Sequence, residues 1–220
     1  MTRILFYGDP HGVFGPLHRA VSEERPDVVL ILGDLDTDDL LRDLEPVLAS
    51  GAEVRFIHGN HDFDRAIWYD GLFANALAQD HYLQGRIDTL KGLRVAGLGG
   101  HFRSKVWMPP EAPRYARRAD LLAATRKGDL WRDGLPLRIR GSIFAEDLVA
   151  LQNAGQADIL ITHEAPTSHR HGHTVIDDLA KRLGVRLIVH GHIHENYDGV
   201  TRDGIPVRGV DAGTCWIWES

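Results

Sequence analysis

Three times within the first 62 residues an apolar run stops at a glycine followed by polar side chains. RILFYGDPH ends on Asp9 and His11, VVLILGDLD on Asp34, and VRFIHGNHD on Asn60, His61 and Asp62. Short β-branched runs that stop this sharply are strands, and the segments between them carry helical spacing, so the chain must alternate strand and helix around a largely parallel sheet. Continued along the chain, the pattern predicts strands at Arg3 to Tyr7, Asp27 to Leu32, Glu53 to Ile57, Asp88 to Leu90, Arg94 to Leu98, Ala157 to Thr162 and Val185 to His190, the first three fully buried. Helices are expected at Gly15 to Glu24, Asp38 to Ser50, Ser142 to Ala154 and Thr174 to Leu183, with Gly51 and Gly184 placed to stop two of them. The end of the chain reads as a hairpin about Asp203-Gly204 and one further strand through Thr214 to Trp218.

Two later runs end the same way. ITHEAP supplies His163, and VHGHIHENY supplies His192 and His194 around Gly191. Ligands of open α/β sheets bind outside the carboxyl ends of the strands, so five segments far apart in sequence are expected to meet at one edge. Carboxylate, imidazole and amide oxygen donors, with no thiolate among them, suit divalent manganese, iron or zinc. With one carboxylate shared, two ions are accommodated, and Asp34 is the candidate bridge. Such a pair can hold a hydroxide and clamp the oxygens of an in-line displacement, which points to phosphoester hydrolysis.

The set Asp9-x-His11, Gly33-Asp34, Gly59-Asn60-His61-Asp62, His163 and Gly191-His192-x-His194 resembles the calcineurin-like metallophosphoesterases, and the resemblance spans nearly the whole chain. It implies an α/β fold of four layers, α/β/β/α, with two mixed β-sheets flanked by helices and the metal site at the C-terminal ends of the strands. It implies Asp9, His11, Asp34 and His194 on one metal and Asp34, Asn60, His163 and His192 on the other. The ions would be manganese first, with iron, zinc or nickel as alternatives. His61 would face the substrate and protonate the leaving oxygen, with Asp62 orienting it. The protein-phosphatase branch follows its second motif with Asp-Arg-Gly, whereas here Leu35-Asp36-Thr37-Asp38 follows Asp34 and brings no arginine. A phosphodiesterase or a small-molecule or nucleotide phosphatase is therefore expected ahead of a protein phosphatase. A noncatalytic metal-dependent module that binds nucleotide or protein is the alternative from another class.

The 220 residues are read as one domain with an Arg-, Pro- and Trp-rich insertion at about 101–141, either a lid over the substrate or a solvated excursion. In and around it, Arg103, Arg138 and Arg140 are candidate phosphate ligands. Trp107, Trp131 and Tyr115 could stack on a base or anchor the excursion, and anchoring is preferred. The run HRHGH, His169 to His173, is placed at the rim of the site, and His190 is expected to support its neighbours. With 25 Lys and Arg against 31 Asp and Glu, a net charge of −6 offers no general attraction for long nucleic acid or an anionic membrane. No window is apolar enough to span a bilayer. One cysteine and an N-terminus without a leader-like pattern give a cytoplasmic expectation, with a small-molecule phosphoester or nucleotide as the partner.

Overall fold

The computed structural model describes residues 1–220. In the first sheet β1 (Arg3–Tyr7), β2 (Val28–Ile31) and β3 (Glu53–Phe56) are parallel neighbours, and β10 (Cys215–Glu219) pairs antiparallel with the free side of β1. In the second, β5 (Leu93–Leu98), β6 (Ile159–Thr162), β7 (Leu187–His190) and β9 (Pro206–Gly209) are parallel. β4 (Ile87–Leu90) and β8 (Tyr197–Val200) close its two edges antiparallel.

Period-two alternation explains the layering. Ile4, Phe6, Val28 and Leu30 point toward the second sheet and pack with Val95, Ile159, Ile161, Leu187 and Val189. Their sequence neighbours Leu5, Tyr7, Val29 and Ile31 point the other way, under Leu17 and Val21 of α1 (Gly15–Glu24) and Leu44 and Val47 of α2 (Leu40–Ala49). The outer face of the second sheet is covered in the same manner by Leu148 and Leu151 of α7 (Ala145–Ala154) and Ile176, Leu179 and Leu183 of α8 (Thr174–Leu183). The result is the four-layer α/β/β/α sandwich. Gly184 ends α8 in the left-handed region at φ 69°, as a C-terminal glycine should.

Two sequence expectations change, and the expected terminal hairpin and last strand are present. The third strand is not fully buried: β3 is an edge strand, so Glu53 and Arg55 stay half-exposed while Val54 and Phe56 are inside. Two short helices, α3 (Ala66–Phe73) and α4 (Ala76–Asp80), fill a stretch read as loop, because AIWYDGLF is apolar on all sides and gives no one-sided helical signal. The terminal hairpin, β8 with β9, belongs to the second sheet while β10 crosses to the first, where Trp216 stacks near Phe6 at 5.3 Å between ring centres.

The insertion leaves after β5 and returns at α7, carrying α5 (Arg118–Ala124) and the single turn α6 (Leu137–Arg140). Its Phe102, Val106, Trp107 and Leu135 are buried in the outer core of the second sheet, and the Trp107 indole N–H donates to the Glu111 carbonyl. Tyr115 packs against the same core, so these aromatic residues anchor the excursion. No helix is long and apolar enough to cross a membrane.

Because Leu30 is fully buried between the sheets, Leu30→Ala is expected to lower unfolding stability by about 2–5 kcal/mol. Val149→Ala, on a half-exposed position of α7, should stay within about 0.5 kcal/mol. Urea unfolding of the two variants checks both values.

Candidate metal centre

The parallel strands of both sheets run in one sense, so their carboxyl ends share an edge. β1, β2 and β3 deliver Asp9 with His11, Asp34, and Asn60 with His61, while β6 and β7 deliver His163 and His192 with His194. All seven expected ligands are brought together there. Donor atoms of Asp9, His11 and His194 lie within 4.8 Å of one another, and those of Asp34, His163 and His192 form a second such group. Asn60 belongs with the second, its Oδ1 standing 3.1 Å from His163 Nε2.

The loops that present these groups hold unusual backbone. Asp9, His11, Asp34, Asp36, His192 and His194 all have positive φ, between 31° and 65°. Non-glycine residues in that region cost on the order of 1–3 kcal/mol each, although Asp and His tolerate it better than most. The strain turns three of the five strand ends, those of β1, β2 and β7, inward in tight corners. Two glycines then let backbone and carboxylate touch: a Cβ at Gly59 would collide with Asp34 Oδ1, and one at Gly191 with Asp9 Oδ1.

Each donor is fixed from behind. His163 Nδ1 donates to the Leu32 carbonyl at 2.8 Å, which leaves Nε2 as the inward atom. His11 Nδ1 lies 2.8 Å from Asp36 Oδ2, so Asp36 sets its tautomer and turns Nε2 toward His194 Nε2, 3.4 Å away. Asp34 Oδ1 accepts the His61 backbone N–H at 2.8 Å, and Asp9 Oδ2 accepts that of His192 at 2.7 Å. His190 is buried among these loops, bonded to the Gly191 carbonyl and, at 2.6 Å, to the Tyr197 hydroxyl; it braces the strand end and faces no ligand group.

The electrostatics are those of a cation site. Asp9 and Asp34 are each 1 % exposed, and Asp9 Oδ1 is sealed from solvent with no hydrogen-bond partner. Burial opposes charge on Asp34, yet the charge and hydrogen bond of His163 hold its carboxyl well below the ordinary range. Burial likewise opposes charge on His163, but Asp34 and then Asp9 outweigh it and push the imidazole up to about 10. Burial, and after it the charge of the neighbouring His163, pushes His192 down to about 3. A buried oxygen with no partner and a hard-to-borderline donor set without sulfur fit two divalent cations, with the two three-donor groups as their holders.

His61 stands at the open side, its ring 5.4 Å from that of His11. The expectation that Asp62 orients it is corrected. Asp62 is fully buried, with Oδ1 accepting from the Leu35 and Asp36 N–H groups and Oδ2 from Gly59 N–H. It ties the loops after β2 and β3 together, and both its oxygens are engaged away from His61. Asp64 orients the imidazole instead, accepting from Nδ1 at 2.9 Å. Residues 61–63 form a 3₁₀ turn, in which positions i and i+3 eclipse, and this brings Asp64 beside His61.

The three candidate arginines separate. Arg138 is exposed and pairs with Asp64 at 3.0 Å, and Arg103 is half-buried in the same cleft. Arg140 is a correction. Its guanidinium donates to the carbonyls of Leu135 and Trp131 and to the Tyr69 hydroxyl, and it lies over the Trp131 ring at 4.8 Å. It clamps the insertion to α3 and has no free donor face for substrate. Glu164 went unnoticed in the sequence; it is buried, accepts the Phe102 N–H at 2.9 Å and lies 3.8 Å from His192 Nε2, joining the insertion to the site. The histidines of HRHGH form no group of their own: His169 faces Glu195 at 3.6 Å and His173 faces Glu164 at 3.7 Å.

Because the free His163 imidazole holds a proton up to about pH 10, a divalent metal entering at neutral pH must displace it. Loading is therefore expected to release at least about one proton, and apparent affinity to fall up to about tenfold per unit as pH drops. Calorimetry in buffers of different ionisation enthalpy reads this directly, and heats independent of buffer would contradict it. Asp36→Ala should weaken metal binding by about 10- to 100-fold through the released His11 ring, as measured by competition with a chelating dye.

With the geometry described, the comparisons are specific. A sequence profile described as calcineurin-like phosphoesterase matches residues 2–196. An uncharacterized protein of Haemophilus influenzae is 42% identical over 210 residues, covering 94% of this chain and 90% of its own. Among solved structures, TT1561 of Thermus thermophilus superposes with a TM-score of 0.60 at 18% identity, covering 96% of this chain and 89% of that one. A dimetal phosphatase of Danio rerio gives 0.52 at 13%, over 96% and 87%. The phosphopantetheinyl hydrolase of Mycobacterium tuberculosis gives 0.54 at 15%, over 96% and 90%. At those identities the superpositions speak for the fold, and the profile match over most of the chain decides the family: this chain belongs to the calcineurin-like phosphoesterases.

Proposed function

We propose that the chain is a metal-dependent phosphoester hydrolase acting on a small-molecule or nucleotide substrate in the cytoplasm, with diesters preferred to monoesters. The observation that carries this reading is the meeting of two three-donor groups with a half-exposed His61 held by Asp64 at the same edge. Two divalent cations, manganese first among the candidates, would withdraw charge from the phosphoryl oxygens and make a bound water acidic enough to attack near neutral pH.

The protein's own groups do the rest. Asp9, His11 and His194 would hold one cation and Asn60, His163 and His192 the other, with Asp34 available to both. Asp64 accepts from Nδ1 of His61, so Nε2 is presented outward, and in the imidazolium form His61 would offer its proton there. As the oxygen of water bonds to phosphorus and the ester P–O bond breaks, His61 gives that proton to the leaving oxygen, and the remaining proton of the water passes to solvent. Arg103 and Arg138 supply positive charge on the insertion side, where the part of the substrate beyond the attacked phosphorus would lie. The diester preference is supported by the absence of an arginine between Leu35 and Asp38 and by the internal engagement of Arg140, which leave few cations for a dianionic monoester.

Metal-stripped protein resupplied with manganese should hydrolyse bis(para-nitrophenyl) phosphate faster than para-nitrophenyl phosphate. His61→Ala should lower kcat by about 10²- to 10⁴-fold with metal content unchanged. Asp34→Asn should lose both bound metal and turnover. Full metal loading with no hydrolysis of either ester would sink this reading and favour a noncatalytic binding module.

A further inference from the structure

The two ends of the insertion enclose a cleft that takes no part in holding metal. His101, Arg103 and Lys105 line one side and Pro136, Arg138 and Ile139 the other, around about 560 Å³. It borders the metal centre at two points. The His101 ring stacks on that of His192 at 6.5 Å, and Arg138 reaches Asp64, the carboxylate that holds His61.

The charges in the cleft do not balance. Arg103 is half-buried, and its Nε is sealed from solvent without a hydrogen-bond partner. Burial is the first influence on its guanidinium and pulls it below its ordinary value, yet arginine stays charged in proteins. Asp64, the acid whose charge reaches it, is already committed to Arg138 at 3.0 Å and to His61 at 2.9 Å. His101 Nδ1 is likewise buried and unpartnered. Three cations thus face one engaged carboxylate, in a chain whose net charge is −6. A desolvated guanidinium without a counter-ion is expensive, and its fork of N–H donors matches phosphoryl oxygens, with Lys105 as an added point charge.

We propose that this cleft is a subsite for a second phosphoryl group of the substrate, joined within a few bonds to the phosphorus that is attacked. The natural substrate is then a molecule bridged by a diphosphate, in place of a simple diester. The inference rests on the phosphoesterase reading above and narrows its substrate class.

The test compares kcat/KM of the manganese-loaded enzyme for P1,P2-di(adenosine-5′) diphosphate and for the 5′,5′-linked diadenosine monophosphate, which share nucleosides and linkage positions and differ by one phosphoryl group. The wild type should favour the diphosphate by about tenfold or more. Arg103→Ala, and independently the exposed Lys105→Ala, should reduce that preference by about 10- to 100-fold, the range of a hydrogen bond to a charged group. A wild type that prefers the single-phosphate compound, or variants that slow both substrates by one factor, would overturn the subsite while leaving phosphoester hydrolysis intact. If the wild type cleaves neither compound nor bis(para-nitrophenyl) phosphate, the hydrolase reading fails by itself. Calorimetric binding of diadenosine diphosphate then decides: binding lost in Arg103→Ala supports the subsite, and equal binding by both proteins refutes it.

Discussion

Two carboxylates buried at one edge of a sandwich govern this molecule. Asp9 and Asp34 are almost without solvent, and burying an isolated carboxylate is among the most unfavourable events in folding. The surroundings answer with imidazoles from the opposite sheet, backbone N–H groups of His61 and His192, and glycines where any Cβ would displace an oxygen. One oxygen of Asp9 is still left without a partner. A cation completes the arrangement, and the apparent proton affinity of His163 expresses the same demand in protons.

Keeping those charges together depends on the sandwich core. β1 and β2 keep register residue for residue, Phe6 beside Leu30 and Tyr7 beside Ile31, so Asp9 and Asp34 emerge at matching heights. β6 and β7 do the same on the other sheet, where Thr162 stands beside His190 just before His163 and His192 leave the strands. A slip of one residue would reverse every inward side chain. The apolar packing between the sheets is thereby also what sets the distance between the two ligand groups. Strained corners at Asp9, Asp34 and His192 are tolerable because this packing fixes the strands on either side of them.

The insertion is fastened at several points. Arg118 pairs with Asp147 of α7 at 2.7 Å, Arg140 grips Tyr69 and the insertion's own carbonyls, and Glu164 takes the N–H of Phe102 beside His192. The last of these fastenings adjoins the metal centre directly, since Glu164 follows His163 and lies 3.8 Å from His192. The same excursion that covers the second sheet therefore also shapes the ground next to the reacting atoms, and it does so with a surplus of positive charge.

Most of the fold and the ligand set were legible because both follow from local periodicity: an apolar run of period two, then a polar group at the strand end. Elements whose signal is not local were missed. α3 carries apolar residues on every side, α4 is only five residues long, and β3 shows its edge position only once the sheet order is known. Site partners divide in the same way. Asp9, His11, Asp34, Asn60, His163, His192 and His194 stand at strand ends that the sequence marks. The partner of His61 turned on which way two nearby acids point: three backbone N–H groups from two loops claim Asp62, and Asp64 meets the ring. Arg140 was likewise indistinguishable from Arg103 and Arg138 until Tyr69 and Trp131 closed around it. The sequence by itself determined which side chains arrive at the edge, because strand ends are set by short-range pattern. Only the tertiary structure decided which of them face one another, because that depends on contacts between residues up to 183 positions apart, such as the bond from His192 N–H to Asp9.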